Sequence, residues 1–204
     1  MLTFSKGLRT LPVRRAGLVL AAASAMALAA CSGKTPSGDA STGAAQASAD
    51  LLVPEKTSLE DQLANADGLQ TVAQALKDTG LASVFSGKGS YTLLAPEDAT
   101  FADLGDAGKS LTDGSDNAAM AALLKQHMLT GYVTPQDIGA AIEASKDGEV
   151  KMPSLSGDEL TFTKSGDTIT VASPDGAKAT FDGAALAGGE SVAIPVSGLL
   201  RDVS

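Results

Sequence analysis

Apolar positions fall into two regimes along this chain. Up to Gly148 they recur three or four residues apart, the repeat of a helix with one buried face; beyond it they alternate with polar residues, the repeat of a strand. In the first regime Ser58-Leu59-Glu60-Asp61 reads as a helix start, with Ser58 as N-cap and acids in the first turn, where the positive helix end favours them. Leu69, Val72, Ala73 and Leu76 lie at helical spacing, and Gly80 is placed to stop that helix. Leu81, Val84 and Phe85 form a short third piece, residues 86–90 are a Gly-rich turn, and residues 91–95 form a short strand. Phe101 and Leu104 mark another helical turn. Residues 105–117 are polar and read as a surface loop. Residues 118–129 read as a helix with Leu123, Leu124 and Met128 as its buried stripe. Thr134-Pro135-Gln136-Asp137 is a further helix start, with a hydroxyl cap, Pro in the first helical position and an acid in the third; Ile138 and Ile142 are its apolar face.

In the second regime Val150 and Met152, Leu160 and Phe162, Ile169 and Val171, Ala179 and Phe181, and finally Val192, Ile194 and Val196 alternate with polar residues. Ser-Gly-Asp and Pro-Asp-Gly turns separate the first of these runs, the pattern of an antiparallel meander. Helices first and strands later make the class α+β and exclude a doubly wound parallel sheet.

The N-terminus carries a different signal. Lys6, Arg9, Arg14 and Arg15 precede an apolar or small-residue stretch over 16–30, the length of a signal-peptide core and too short for a comfortable membrane span. It ends Leu28-Ala29-Ala30-Cys31, which resembles the bacterial lipobox, and Cys31 is the chain's one cysteine. The expectation is a signal peptide over 1–30, lipid (palmitate among it) on Cys31, a Ser/Gly/Ala tether over 31–57 and one folded domain over 58–204. By resemblance to the sorting rule of Gram-negative lipoproteins, Ser32 after the Cys favours outer-membrane delivery in a Gram-negative cell; otherwise the outer face of the plasma membrane is expected. Four of the 15 basic residues precede Cys31, so 11 remain against 24 acids, a net charge of −13. A chain of that charge is repelled by anionic lipid and needs the anchor to stay at a membrane. It also lacks the clustered Lys and Arg that nucleic acid requires.

Composition limits the chemistry. One Cys excludes an internal disulfide and a Cys-based zinc site; one His excludes the two-His metal motifs. Aromatics are 3% and Trp is absent, so the core is aliphatic and sugar-stacking platforms are scarce. There is neither a Gly-x-Ser-x-Gly elbow nor a phosphate loop. Asp103, Asp106, Asp113 and Asp116 are scattered acids, and the 113–117 stretch lacks the twelve-residue calcium loop with its closing Glu. No cofactor and no metal are expected.

Three blocks carry a family resemblance. Tyr91-Thr92-Leu93-Leu94-Ala95-Pro96-Glu97-Asp98-Ala99-Thr100-Phe101 is the first; Leu123-Leu124-Lys125-Gln126-His127-Met128-Leu129, with Gly131 and Val133-Thr134, is the second; Val192-Ala193-Ile194-Pro195-Val196-Ser197-Gly198-Leu199-Leu200 is the third. In order and spacing they resemble the fasciclin domain over residues 58 to about 200. The resemblance implies a wedge-shaped β-sandwich core of short, mostly antiparallel strands, with N-terminal helices packed along its edge. It also implies non-catalytic work in adhesion, through contact with a protein or polysaccharide partner at the cell surface. The sequence departs from the family at Gln126, where a Tyr precedes the His, at Ile194, often His, and at Ser197, often Asp. Residues 181–186 match the acidic receptor-binding motifs of animal members poorly. The alternative is an envelope small-ligand-binding or sensory module. A monomer is expected. The candidate residues in the folded part are Pro96, which fixes φ at the strand–helix joint, Asp98 (or Glu97) as cap of the helical turn that follows, and His127. The resemblance implies that His127 is buried and bonded to the loop after the first block.

Overall fold

The computed structural model describes residues 57–201. The leader, Cys31 and the tether up to residue 56 lie outside the described residues.

The chain runs α1 (Leu59–Asn65), α2 (Gln70–Asp78), α3 (Ala82–Phe85), β1 (Tyr91–Pro96), α4 (Asp98–Asp103), α5 (Asp106–Thr112), α6 (Asn117–Gln126), β2 (Met128–Thr130) and α7 (Pro135–Ala144). The strands β3 (Glu149–Pro153), β4 (Glu159–Ser165), β5 (Thr168–Ala172), β6 (Lys178–Thr180), β7 (Leu186–Gly188) and β8 (Ser191–Val196) follow. Two four-stranded sheets result, in the orders β2-β1-β8-β7 and β3-β4-β5-β6. The second is an antiparallel meander, as its period-two pattern predicts. The class is α+β.

The first sheet is covered on both faces. Leu93, Ala95 and Ala193 pack with Leu63, Val72, Leu76, Leu123 and other helix residues. Their neighbours Leu94, Ile194 and Val196 point the other way, into a core shared with Leu160, Phe162, Val171 and α7's Ile138 and Ile142. Double cover explains why β1 and β8 read as continuous apolar runs where the meander strands alternate. Within these two strands β1 and β8 run parallel, with Leu94 opposite Ile194. The first and last sequence blocks therefore form the centre of one sheet.

Capping chemistry sets the helix starts. Ser58 Oγ accepts the Asp61 N–H. Thr134 and Asp137 exchange side-chain-to-backbone bonds in a full capping box, with Pro135 in the first turn.

Three expectations are corrected, and one strand is added. Residues 105–117 are not all loop: α5 occupies most of them. Its Leu111 is the one large buried apolar residue, and Gly108 lies so close to Phe101 that a β-carbon there would overlap the Phe101 carbonyl oxygen, so no amphipathic stripe advertises it. The helix expected over 118–129 ends at Gln126; Met128 and Leu129 are buried as strand residues, paired with Leu93 and Thr92. The closing strand does not extend the meander but enters the other sheet, because only there are both of its apolar faces covered. Finally, β7 is a three-residue strand without a periodic signal. It forms the sheet edge, and the start of α1 lies against it at Gly188.

Candidate functional site

The residues singled out by the sequence gather around the C-terminal end of β1, but their side chains serve different partners. Pro96 lies opposite Val196, and Pro195 opposite Ala95. Proline cannot donate to a ladder, so it fits a central strand only where one neighbour has ended. β2 pairs β1 only along Tyr91 to Leu93, and β7 pairs β8 only as far as Ala193.

Asp98 is not the cap of its own helix, contrary to expectation. The N-cap of α4 is Glu97, and it makes no side-chain capping bond. The Asp98 carboxylate instead reaches back 27 residues and accepts the Thr71 N–H at 2.8 Å, in the first turn of α2. The N-cap of α2 is Leu69, which has no side chain able to do this. The Asp98 N–H is held by the Gly68 carbonyl at 2.8 Å, so a backbone bond and a side-chain bond clamp the β1–α4 joint to the start of α2. The acid satisfies an orphan helix donor and favours the positive helix end, from a distant part of the chain. Asp98→Ala is therefore expected to lose about 1 kcal/mol, the usual worth of an N-cap. Glu97→Ala, which removes no capping bond, is expected to lose much less. Urea unfolding of the two variants checks this, and equal losses would contradict the assignment. Glu97's carboxyl is pushed up by partial burial first, then by the nearby charges of Asp182 and Asp98.

His127 ends α6 and is fully buried. Its Nδ1 lies 2.9 Å from the Leu123 carbonyl, so Nδ1 carries the proton, and Nε2 accepts the Leu200 N–H at 3.0 Å. The expected ring partner, the loop after the first block, is thus replaced by the turn after the closing strand. The first block touches His127 through backbone, the Leu94 N–H donating to the His127 carbonyl at 2.8 Å. Burial lowers the imidazole pKa to about 4; the carbonyls of Leu123 and Gly198 favour the charged form but do not offset it.

Two further polar residues belong to this joint: Thr92, not singled out by the sequence, and Gln126, noted only as a departure from the resemblance. Thr92 is buried within the apolar run; its hydroxyl donates to the Gly131 carbonyl at 2.8 Å and accepts the Val133 N–H at 2.9 Å. Its signal was a hydroxyl in a strand otherwise apolar on both sides. Gln126, at the position of the family's Tyr, is also buried and accepts from the Ser156 hydroxyl.

Of the scattered acids, Asp106 pairs with Lys109, and two others serve a turn and a cap. Asp113 accepts the Ser115 N–H, and bonds from the Ser115 hydroxyl first and its N–H second hold the Asp113 pKa down; Asp116 caps α6 through the Ala119 N–H. Among the described residues no three His, Cys, Asp or Glu side chains gather closely enough to hold a metal ion.

The sequence profile of the fasciclin domain matches residues 67–187. The chain belongs to the fasciclin domain family. Its fold is also that of a solved fasciclin, the FAS1 domain pair from the insect cell adhesion molecule fasciclin I, with a TM-score of 0.62 at 14% identity. The match covers 74% of this chain and 52% of that one, so the chain spans about half the length of the pair. No protein of curated function matches. Among the described residues of this fasciclin chain, no helix is long and apolar enough to cross a membrane.

Proposed function

We propose that this fasciclin protein is a lipid-anchored, non-catalytic interaction module of the cell envelope, a monomer that contacts a protein or polysaccharide partner at the cell surface. The observation that carries the reading is family membership across residues 67–187, together with a matched structure that belongs to a cell adhesion molecule. The lipobox-like Leu28-Ala29-Ala30-Cys31 supports the anchor. The chain's one imidazole has both ring nitrogens bonded to backbone in the core, which supports a structural role for it.

Two measurements test the proposal. Metabolic labelling with a fatty-acid probe is expected to mark the wild-type chain and to fail with Cys31→Ala, which should leave the envelope fraction. Crosslinking on intact cells is expected to return a defined surface partner. Equal labelling of wild type and Cys31→Ala would remove the anchor; crosslinking that returns only the chain itself, with surface attachment unchanged on deletion, would remove the interaction reading.

A further inference from the structure

A cleft of about 280 Å³ opens between α2, α5 and α6. It is slightly smaller than the sites of drug-sized ligands and has room for one sugar ring. Thr71, Gln74 and Asp78 line it from α2, and Asn117 lines it from α6. Ala75, Leu111 and Met120, all buried, form its floor. We infer that this cleft binds one unit of a neutral, hydroxyl-rich polysaccharide. The inference rests on the interaction reading above and names the chemistry of its partner.

The balance of hydrogen-bonding groups selects the ligand. Gln70 and Thr112, also at the rim, are engaged locally. The Gln70 amide bonds the Ala66 carbonyl and the Gly68 N–H, and the Thr112 hydroxyl donates to the Gly108 carbonyl. The Gln74 amide donates one hydrogen to Asp78 Oδ1 at 2.7 Å, which leaves its second hydrogen, its own oxygen and Asp78 Oδ2 for a ligand. The Thr71 hydroxyl and the Asn117 side-chain amide make no hydrogen bond to another described residue. The groups left over are therefore donors and acceptors together.

A sugar hydroxyl both donates and accepts, so vicinal hydroxyls satisfy both kinds. A carboxylate ligand would use the donors alone and meet the Asp78 charge. An ammonium would use the acceptors alone and leave the Asn117 and Gln74 hydrogens without a partner. Among the described lining residues there is no Lys, no Arg and no aromatic ring, so neither an anion nor a stacking partner is favoured. The apolar floor suits the C–H face of a pyranose.

Three contacts hold the walls. Asp98 accepts the Thr71 N–H at 2.8 Å from the β1–α4 joint, which fixes the start of α2. Gly108 lies against the Phe101 carbonyl, which sets α5 close to α4. Asp116, the residue before Asn117, caps α6 through the Ala119 N–H at 2.8 Å. Polar groups carried by helices fixed in this way lose less freedom on binding than side chains on a mobile loop.

The test titrates the full chain, by calorimetry, with tetramers of glucose, galactose, galacturonate and protonated glucosamine. At least one neutral tetramer is expected to bind, with the same affinity at about 50 and about 500 mM salt. The two charged tetramers are expected to bind about tenfold more weakly or not at all. Asn117→Ala and Gln74→Ala are each expected to lose about threefold to tenfold in affinity for the neutral tetramer, the scale of one lost hydrogen bond. Their melting temperatures are expected to stay near the wild-type value, since both side chains are exposed. No binding of either neutral tetramer, equal binding of a charged one, or unchanged affinity in both variants overturns the assignment. If it fails in this way while the wild type still crosslinks a defined surface partner, the interaction reading stands on another face. Absence of any crosslinked partner for the wild type overturns that reading itself.

Discussion

Gly188→Ala is expected to destabilise the domain by about 3 kcal/mol or more, the upper part of the range for overpacking. Gly188 ends β7, the edge strand of the first sheet, and is buried. A β-carbon there would overlap the backbone N and Cα of Leu59 and lie 2.7 Å from the Ser58 carbonyl carbon. All three atoms are main chain at the start of α1, so no rotamer change relieves the overlap; α1 must move off β7 as a unit. That movement uncovers Leu59 and Leu63, now almost fully buried, and exposes the edge of a sheet whose ladder α1 shields. For a domain of this size the loss corresponds to a melting-temperature fall of roughly 10 °C. The neighbouring Gly189 provides the control. It has φ +58°, and a β-carbon placed on it would meet nothing within 4 Å, so Gly189→Ala tests backbone strain without overlap and is expected to lose about 1 kcal/mol. Thermal unfolding of the two variants decides the point: equal losses would mean that the α1–β7 approach is not tight. Amide exchange along α1 should quicken in Gly188→Ala and stay slow in Gly189→Ala.

The same contact shows where the sequence stops being readable. Helix starts were legible where the cap and the helix are adjacent: Ser58 and the Thr134–Asp137 box both occupy the positions their local pattern indicates. The meander was legible because its strands bury one face and alternate. What depends on distant pairing was not. Asp98 looks like a local cap because it sits at a local helix start, yet its bond goes to Thr71, and nothing near Thr71 signals the need except that Leu69 cannot cap. β7 has three residues, too few for a period, and is fixed by Ala193 and by α1. The parallel pairing of β1 with β8 was not legible; its local trace is that both strands are apolar on consecutive positions and each carries a proline near its end. At the candidate site the residues to watch were legible, and the partners of their side chains were not.

His127 offers the sharpest separation of a structural from a local effect. At pH 7 His127→Ala is expected to lose about 3 kcal/mol, since the buried Leu200 N–H is left without its acceptor and a cavity replaces the ring. The pH dependence identifies the mechanism. The folded pKa is about 4, below the ordinary 6.5, because burial disfavours the imidazolium. The unfolded chain therefore takes up a proton between pH 6.5 and 4 while the folded chain does not, and stability falls as pH drops through that window. A gap of that width corresponds to about 3 kcal/mol, present in full above pH 6.5 and lost by pH 4. Below pH 4 the folded ring charges as well. Nε2 then carries a hydrogen and faces the Leu200 N–H, so a donor meets a donor and the turn after β8 loses its tie. Other groups titrate nearby but cancel in the comparison. Glu97, whose pKa is raised, works in the opposite sense and loses stability as pH rises through its folded value; Asp137 and Glu143, whose pKa values are lowered by their bonds to Thr134 and Lys164, lose theirs as pH falls. All three are unchanged in the variant. The stability difference between wild type and His127→Ala should therefore shrink steadily from about pH 7 to about pH 4. Urea unfolding at half-unit steps measures it, and a difference that stays constant across the window would mean that His127 titrates as an ordinary exposed histidine and is not the buried acceptor for Leu200.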